Sequence, residues 1–219
     1  MMNLKVNLDS INAEIPGNVK LIVVSKMQSP ERILEVYNAG QRRFGENKVQ
    51  DIVIKQPILP KDIEWHFIGH LQTNKVKFIA PFVHVIQSID SLKLLQEVDK
   101  EARRNNRFID CMLQLYIATE ETKFGLEYFG ARNLLSSEDY RRLQHVRMIG
   151  VMGMATYTTD IALINKEFRM LKEYFDALSK EYFGDNPGFR EISMGMSGDY
   201  RIAIDQGSTM VRIGSAIFN

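Results

Sequence analysis

The amino-acid sequence predicts a single α/β domain over residues 1–219, a (β/α)8 barrel of the TIM type. Three observations predict it. Strand-like runs alternate with helical patterns eight times along the chain. No Pro/Ser-rich linker or low-complexity segment divides the chain, and 219 residues with 45% hydrophobic content suffice for one large core. A doubly wound open sheet would also hold eight strands, but no G-x-G-x-x-G follows the first strand.

The eight strand-like runs are rich in β-branched and aromatic residues, which favour extended structure. We expect each run to form one strand of a parallel barrel. In chain order they read VKLIVVSK, RRFGEN, EWHFIG, FVHVIQSID, FIDCMLQLYIA, VRMIGVMGMA, FREISMG and TMVRIGSAIF.

Three of the intervening segments carry helix signals. One begins at Pro30 and ends near Gly40, the second has Asp90 or Ser91 as its N-cap, and the third is the long amphipathic segment 164–183. Apolar residues at helical spacing should face the core. They are Ile33, Leu34 and Tyr37 in the first helix, Leu92, Leu95 and Val98 in the second, and Phe168, Leu171, Phe175 and Leu178 in the third.

The charge balance and the N-terminus exclude several classes of function. With 28 basic and 27 acidic residues the formal net charge is +1, which gives no electrostatic basis for binding nucleic acid or an anionic membrane. Residues 1–18 contain no apolar signal-peptide core, and no stretch reaches about 18 uncharged apolar residues. The single cysteine, Cys111, is expected to be a buried hydrophobe. We therefore expect a soluble, cytoplasmic protein.

A barrel predicts where the chemistry lies, because barrel enzymes place their functional groups at the C-terminal ends of the strands. Polar residues follow six of the predicted strands, and we expect them to meet at one mouth of the barrel. They are Ser25 and Lys26, Glu46 and Asn47, His70, Ser88 and Asp90, residues 119–123, and Thr156.

The loops after the seventh and eighth strands resemble a phosphate cradle. Barrels often bind phosphate there through backbone N–H groups. Gly195 and Gly198 would let the backbone approach an anion, and Ser197 adds a hydroxyl. Gly214 and Ser215 offer the same after the eighth strand. The alternative is that these are ordinary loop glycines and a helix N-cap serine.

Lys26 ends a strand that is otherwise apolar, opposite the predicted phosphate cradle. A lysine amine forms a Schiff base with an aldehyde, and pyridoxal 5′-phosphate (PLP) is an aldehyde that carries a phosphate. Arg212, near the end of the eighth strand, could donate a hydrogen bond to the pyridine nitrogen of PLP. A salt-bridged structural arginine is the alternative for Arg212.

Several segments together resemble the pyridoxal phosphate homeostasis protein family, whose fold is similar to the N-terminal barrel of alanine racemase. They are VVSKMQSPERI, RRFGENKVQD, EWHFIGHLQTNKVK, ETKFGL, GVMGMAT and ISMGMSGDYRIAIDQGSTMVRIGSAIFN. The resemblance implies a barrel that regulates free PLP, with no established turnover. It implies that Lys26 carries PLP and that Arg212 contacts the pyridine nitrogen. It also implies phosphate contacts for Ser197, Gly214 and Ser215, with Ser193 nearby, and places Asn47 near the ring.

Five further residues complete the predicted site or its alternatives. His66 and His70 are four apart, which suits zinc on a helix, but here the spacing falls on a strand. His66 is expected to line the barrel interior and is counted, with Met154, among the residues that bind the cofactor; Met194 is an alternative contact for the ring face. Lys123 is expected at the same mouth, or else in solvent.

Three functions remain in view from the sequence. The first is a monomeric PLP carrier and regulator that serves PLP-dependent apoenzymes. The second is a weak amino-acid racemase. By its resemblance to alanine racemase, such an enzyme needs an acid/base on each face of the ring. Because the chain ends at Asn219, soon after the eighth strand, we expect no second domain to supply that group. The third, a metal-dependent hydrolase, lacks a cluster of His and Asp at the strand ends.

Overall fold

The eight predicted strands pair in parallel, in sequence order, and close into one barrel. The computed structural model describes residues 4–119, 124–184 and 186–219. Closure comes from the pairing of the first strand with the last, which sets Lys20 opposite Met210 and Val23 opposite Ile213. The barrel prediction is therefore confirmed. The strands are β1 (Lys20–Val24), β2 (Arg43–Glu46), β3 (Glu64–Phe67), β4 (Val85–Ile89), β5 (Ile109–Gln114), β6 (Val146–Met152), β7 (Glu191–Ser193) and β8 (Met210–Ile213).

Helices connect the strands and cover the outside of the barrel. Short 3₁₀ turns lie at residues 56–58 and 73–75, and a π-helical turn follows the longest helix at residues 179–183. The helices are α1 (Leu4–Glu14), α2 (Pro30–Asn38), α3 (Val49–Lys55), α4 (Val76–Ile79), α5 (Leu92–Arg104), α6 (Tyr128–Ser136), α7 (Glu138–Arg141), α8 (Ile161–Leu178), α9 (Tyr200–Asp205) and α10 (Ser215–Phe218).

Two helix starts follow the predicted signals, whereas α8 begins at Ile161 and not at residue 164. Pro30 is the first residue of α2. Of the two N-cap candidates for α5, Ser91 is the cap, because its Oγ accepts a hydrogen bond from the backbone N–H of Leu94 at 3.3 Å. Asp160 caps α8 by accepting from the N–H groups of Ala162 and Leu163.

The apolar stripes are mostly as predicted, with one error in α2. Leu34 is 40% exposed, whereas Ile33 and Val36 are fully buried. Residues 33, 36 and 37 share one helical face at 3.6 residues per turn, and residue 34 lies off that face. In α8, Phe168, Leu171 and Leu178 are buried, and partly buried Phe175 stacks on Phe189.

The apolar core has two layers because successive residues of a strand face opposite sides of the barrel wall. The larger layer lies between the strands and the helices and contains buried Cys111. The smaller layer fills the barrel interior. Its buried members are Ile22, Val85, Met112, Met152 and Met210.

The last helix is fastened to the start of the chain. Asn7 in α1 donates a hydrogen bond from Nδ2 to the carbonyl oxygen of Ile217 at 2.9 Å. The guanidinium of Arg32 in α2 donates to the carbonyl oxygen of Phe218 and lies over its ring. These contacts fix α10, whose first residue is Ser215, against the barrel.

Two further findings concern the chain as a whole. Among the described residues, no helix combines the length and apolar character needed to cross a membrane. Lys123, for which the sequence left open a place at the barrel mouth or in solvent, falls outside the described residues.

Gly150 offers a direct test of the barrel register. It pairs with Glu191 across β6 and β7, and a Cβ added there would lie 1.8 Å from the carbonyl oxygen of Glu191. Gly150→Ala should therefore force these strands apart and lower the free energy of unfolding by more than about 3 kcal/mol. Urea denaturation measures the loss.

Gly17→Ala is the matched control, since a Cβ at Gly17 meets no heavy atom within 4 Å. It should change stability by less than about 1 kcal/mol. Equal effects of the two substitutions would contradict the β6–β7 register.

Candidate functional site

A cavity of about 570 Å³ opens at the C-terminal mouth of the barrel, where the sequence predicted a site. Its walls come from the ends of β1, β2, β3, β5, β6, β7 and β8. Eight of the ten predicted site residues line it, and two do not. The eight are Lys26, Asn47, Met154, Ser197, Gly198, Arg212, Gly214 and Ser215.

Lys26 reaches the mouth because β1 ends two residues before it. Val24 also lines the cavity, whereas Ser25 is buried on the other side of the wall. The chain then turns sharply: Gln28 N–H donates to the carbonyl oxygen of Ser25 at 3.1 Å, and Met27 has a positive φ of 62°. A non-glycine residue in this conformation is strained, which marks the turn as a specific feature of the site.

A buried polar network supports this turn from outside the barrel. The carboxylate oxygen Oε1 of Glu46 accepts hydrogen bonds from Ser25 Oγ at 2.6 Å and from Lys55 Nζ at 2.7 Å. Lys55 Nζ also donates to the carbonyl oxygen of Ser25 at 3.0 Å. Burial raises the pKa of Glu46, and its contacts with Lys55 and Ser25 oppose that shift. Ser25 and Glu46 were predicted to face the mouth; instead they hold the backbone beneath Lys26.

Arg212 is the second cation of the cavity and is 4% exposed. Its guanidinium donates from one terminal nitrogen to Ser193 Oγ at 2.6 Å and from the other to the carbonyl oxygen of Gly153 at 2.9 Å. Burial lowers the pKa of Arg212 to about 10, and the charge of Asp199 opposes the shift. Arg212 is therefore still a cation at neutral pH, and no carboxylate pairs with it among its described hydrogen bonds.

Ser197 joins the loops after β7 and β8. Its Oγ accepts from the backbone N–H groups of Gly214 and Ala216, both at 3.4 Å. Hydrogen bonds of this length are weak, because N–H···O distances cluster near 2.9–3.0 Å. Two backbone donors thus point at one position beside Ser197, and a better acceptor at that position would take them over.

The glycines of these loops have different roles. A Cβ at Gly198 would meet no heavy atom within 4 Å, so this backbone borders open space in the cavity. A Cβ at Gly214 would lie 2.9 Å from the carbonyl oxygen of Val24. Gly195 has φ +95°, and its Cβ would lie 2.6 Å from that of Ala203. Gly214 and Gly195 are therefore needed for close packing with β1 and α9, a role that was not predicted from the sequence, and Gly214 also lines the cavity.

His66 and Ser193 do not line the mouth cavity, although both were counted among the residues that bind the cofactor. Ser193 is fully buried in β7 and contacts Arg212 from below. His66 lines a second cavity, of about 630 Å³, together with Lys20, Arg43 and Glu191 at the starts of their strands. This cavity is at the opposite end of the barrel. Met194 and Ser88 are likewise buried and away from the mouth cavity.

A histidine–aspartate pair at the mouth was left unassigned by the sequence interpretation. His70 lines the cavity, its Nδ1 lies 3.1 Å from Asp90 Oδ2, and its ring stacks on Phe124 at 4.2 Å. Both residues were recognised as strand-end polar groups, and the adjacency of β3 and β4 is the signal that would have paired them. The zinc alternative is not supported, because His66 and His70 line cavities at opposite ends. Within the described ranges, no group of three or more potential metal ligands occurs.

Glu167 anchors the loops after β5 and β6 from the α8 side. Its buried carboxylate accepts from the N–H of Thr119 at 3.1 Å, and from the N–H and Oγ of Thr156 at 2.6 and 2.7 Å. Thr156 lines the cavity. This support was also missed, because a lone Glu within a helix gives no sign of the distant loops that it holds.

Comparisons with known proteins agree with this geometry. The family model described as alanine racemase, N-terminal domain, matches residues 1–219. A protein of Aquifex aeolicus named pyridoxal phosphate homeostasis protein is 40% identical over 201 residues, which cover 91% of this chain and 86% of that protein. A protein of the same name from Schizosaccharomyces pombe is 34% identical over 220 residues, covering 96% of this chain and 90% of that protein.

Solved structures give the same picture. The structure of PipY from Synechococcus elongatus PCC7942 with PLP bound matches with a TM-score of 0.89 and 31% identity, covering 99% of this chain and all of that one. An alanine racemase of Clostridium difficile 630 matches with a TM-score of 0.78 at 12% identity and covers 59% of the racemase chain. At that identity the second likeness concerns the fold alone.

His66 predicts a loss of stability in acid. Burial, then the charges of Arg43, His84 and Lys20, lower the pKa of His66 from 6.5 to about 3. Between these values the unfolded chain binds a proton that the folded protein does not, so the free energy of unfolding should fall as the pH drops through this window. At about pH 5 the expected loss is on the order of 2 kcal/mol relative to neutral pH.

His66→Gln should flatten this fall, because the amide keeps a polar side chain but does not titrate. Urea denaturation of both proteins across the pH window measures the difference. An equally steep fall in the variant would show that another group is responsible.

Proposed function

The chain belongs to the pyridoxal phosphate homeostasis protein family, and we propose that it binds PLP as a Schiff base on Lys26 and acts as a carrier and regulator of free PLP. The observation that carries the proposal is the convergence of three kinds of group in one cavity. Lys26 offers an amine, Arg212 a buried cation, and the loops around Ser197 and Gly214 a set of backbone donors.

The residues present fit PLP group by group. The phosphate suits the position beside Ser197, where the N–H groups of Gly214 and Ala216 converge on a weakly bound hydroxyl. The pyridine nitrogen suits Arg212, which can only donate hydrogen bonds. The cavity of about 570 Å³ lies within the range of small-molecule sites. When bound, PLP supplies an aldehyde that reacts with amines.

Arg212 also favours a binding role over turnover. A permanent cation at the ring nitrogen opposes its protonation, and an unprotonated ring withdraws electrons weakly. The residues of this chain then hold PLP without making it a strong electron sink. We propose that the protein works in the cytoplasm as a monomer and passes PLP to PLP-dependent apoenzymes.

Lys26→Ala should abolish covalent attachment of PLP. Removing the amine leaves the aldehyde without its reaction partner, whereas the phosphate contacts remain. Wild-type protein incubated with PLP should acquire the absorbance of a Schiff base, and borohydride should fix one pyridoxyl group on the Lys26 peptide, as read by mass spectrometry. The variant should show neither.

Lys48→Ala is the matched control, because Lys48 is also an exposed lysine just past a strand end but does not line the cavity. It should retain the absorbance and the label. A wild type that stays colourless with PLP, or a label found only on Lys123, would refute the attachment at Lys26.

The phosphate position can be tested with Gly198→Asp and Ser197→Ala. A carboxylate at position 198 would enter open space and repel a dianion, and loss of the Ser197 hydroxyl removes one hydrogen bond to it. Removing a bond to a charged group costs about 1.5–3 kcal/mol, or roughly ten- to a hundredfold in affinity. Equilibrium titration should show that both variants bind PLP more weakly than the wild type does.

Pyridoxal, which lacks the phosphate, is the control ligand. It should bind wild type poorly and respond little to either substitution, so that mutation and loss of phosphate are non-additive. Equal weakening of PLP and pyridoxal would place the phosphate elsewhere.

A further inference from the structure

A chain of four buried polar side chains runs through the barrel interior from one cavity to the other. Arg212 donates to Ser193 Oγ at 2.6 Å, Ser193 Oγ donates to Gln87 Oε1 at 2.6 Å, and Gln87 Nε2 lies 3.0 Å from His66 Nδ1. Each of the four residues is at most 4% exposed. Arg212 lines the mouth cavity and His66 lines the opposite one.

The hydrogen bonds among these four side chains all run in one direction, from Arg212 toward His66 in the first two bonds and on to the His66 ring in the third. Arginine can only donate, so Ser193 accepts from Arg212 and has its own proton free to donate to the Gln87 carbonyl. The Gln87 amide then presents its NH₂ to His66, whose Nδ1 must accept. A reversed Gln87 amide would leave the Ser193 proton without an acceptor. His66 must therefore be neutral, with its proton on Nε2.

The depressed pKa of His66, about 3, agrees with this arrangement. At ordinary pH the ring stays neutral, so Nδ1 remains an acceptor and the direction of the chain does not change.

The geometry of Arg212 indicates what this series of hydrogen bonds does. Two terminal nitrogens of its guanidinium are fixed, one by Ser193 and one by the carbonyl oxygen of Gly153. Because the guanidinium is planar and rigid, these two bonds fix the plane of the group and the direction of its remaining N–H bonds. Those bonds are left for the cavity that Arg212 lines.

We propose that His66, Gln87 and Ser193 are positioning residues, which aim Arg212 at the ring nitrogen of the cofactor in the mouth cavity. This inference rests on the proposed function for the identity of the acceptor. The orientation of Arg212 does not depend on the proposed function and can be measured without PLP.

The test compares two buried serines. Ser193→Ala removes the hydrogen bond between Ser193 and Arg212. Ser208→Ala is the matched control, because Ser208 is also buried near the same strands, and all its side-chain contacts in the described part of the chain are with backbone carbonyls such as that of Met194. Gln87→Met is a second break that keeps the side-chain length, in case Ser193→Ala does not fold.

The first readout is NMR of the PLP-free protein. In wild type and Ser208→Ala, the guanidinium protons of Arg212 should be protected from exchange with water. In Ser193→Ala and Gln87→Met, that protection should be lost. The ring nitrogens of His66 should report the Nε2–H tautomer in wild type. Unchanged protection of the Arg212 protons in both Ser193→Ala and Gln87→Met, or an Nδ1–H tautomer of His66, would overturn the proposal.

The second readout is affinity for PLP and for its 1-deaza analogue, in which carbon replaces the ring nitrogen. Ser193→Ala should weaken PLP by roughly tenfold, the effect of misplacing one hydrogen bond to a charged group, and leave the analogue unaffected. Equal weakening of both ligands would show a purely structural role and overturn the positioning claim. A wild type that binds neither ligand would instead overturn the proposed function, and protection of Arg212 would then decide the positioning alone.

Discussion

The pairing of β1 with β8 is the constraint on which the site depends. These strands come from opposite ends of the chain, and their pairing brings the Lys26 turn beside the loops that carry Ser197 and Gly214. The approach is close enough that a Cβ at Gly214 would lie 2.9 Å from the carbonyl oxygen of Val24. The contacts of α10 with α1 and α2 stabilise the same junction between the two ends of the chain. Lys26 and the loops proposed to bind phosphate, which are far apart in sequence, therefore become neighbours only when the barrel is closed.

Much of the fold was predictable because each strand carries a local signal and barrel topology leaves few ways to connect eight of them. The lining residues followed from the rule that strand ends meet at one mouth, which located Lys26, Asn47 and Arg212. That rule fails where a strand ends one residue early or late. Ser25 and Glu46 lie next to lining residues in sequence, yet they face the helices because neighbouring side chains alternate across the wall.

The remaining features depend on contacts between distant segments, which single-sequence patterns do not encode. Glu167 holds Thr119 and Thr156, and Gln87 joins His66 to Ser193, only because the closed barrel brings them together. His66 was correctly expected in the interior, but its end of the barrel was not recognised. A histidine in the middle of β3 can point along the axis in either direction, and the partner that decides it lies on β4.

The weak bonds from Gly214 and Ala216 to Ser197 have a consequence for the proposed role as a carrier. A protein that must give up its cargo repeatedly should not have to refold its binding loops on each release. Here the hydroxyl of Ser197 accepts from the two backbone donors at 3.4 Å, so these N–H groups have a partner within the protein. Under the proposed function, the phosphate of PLP would take over these two donors on binding, and Ser197 would take them back on release. Under the proposed function, loops whose donors already have a partner within the protein would need no refolding when PLP leaves.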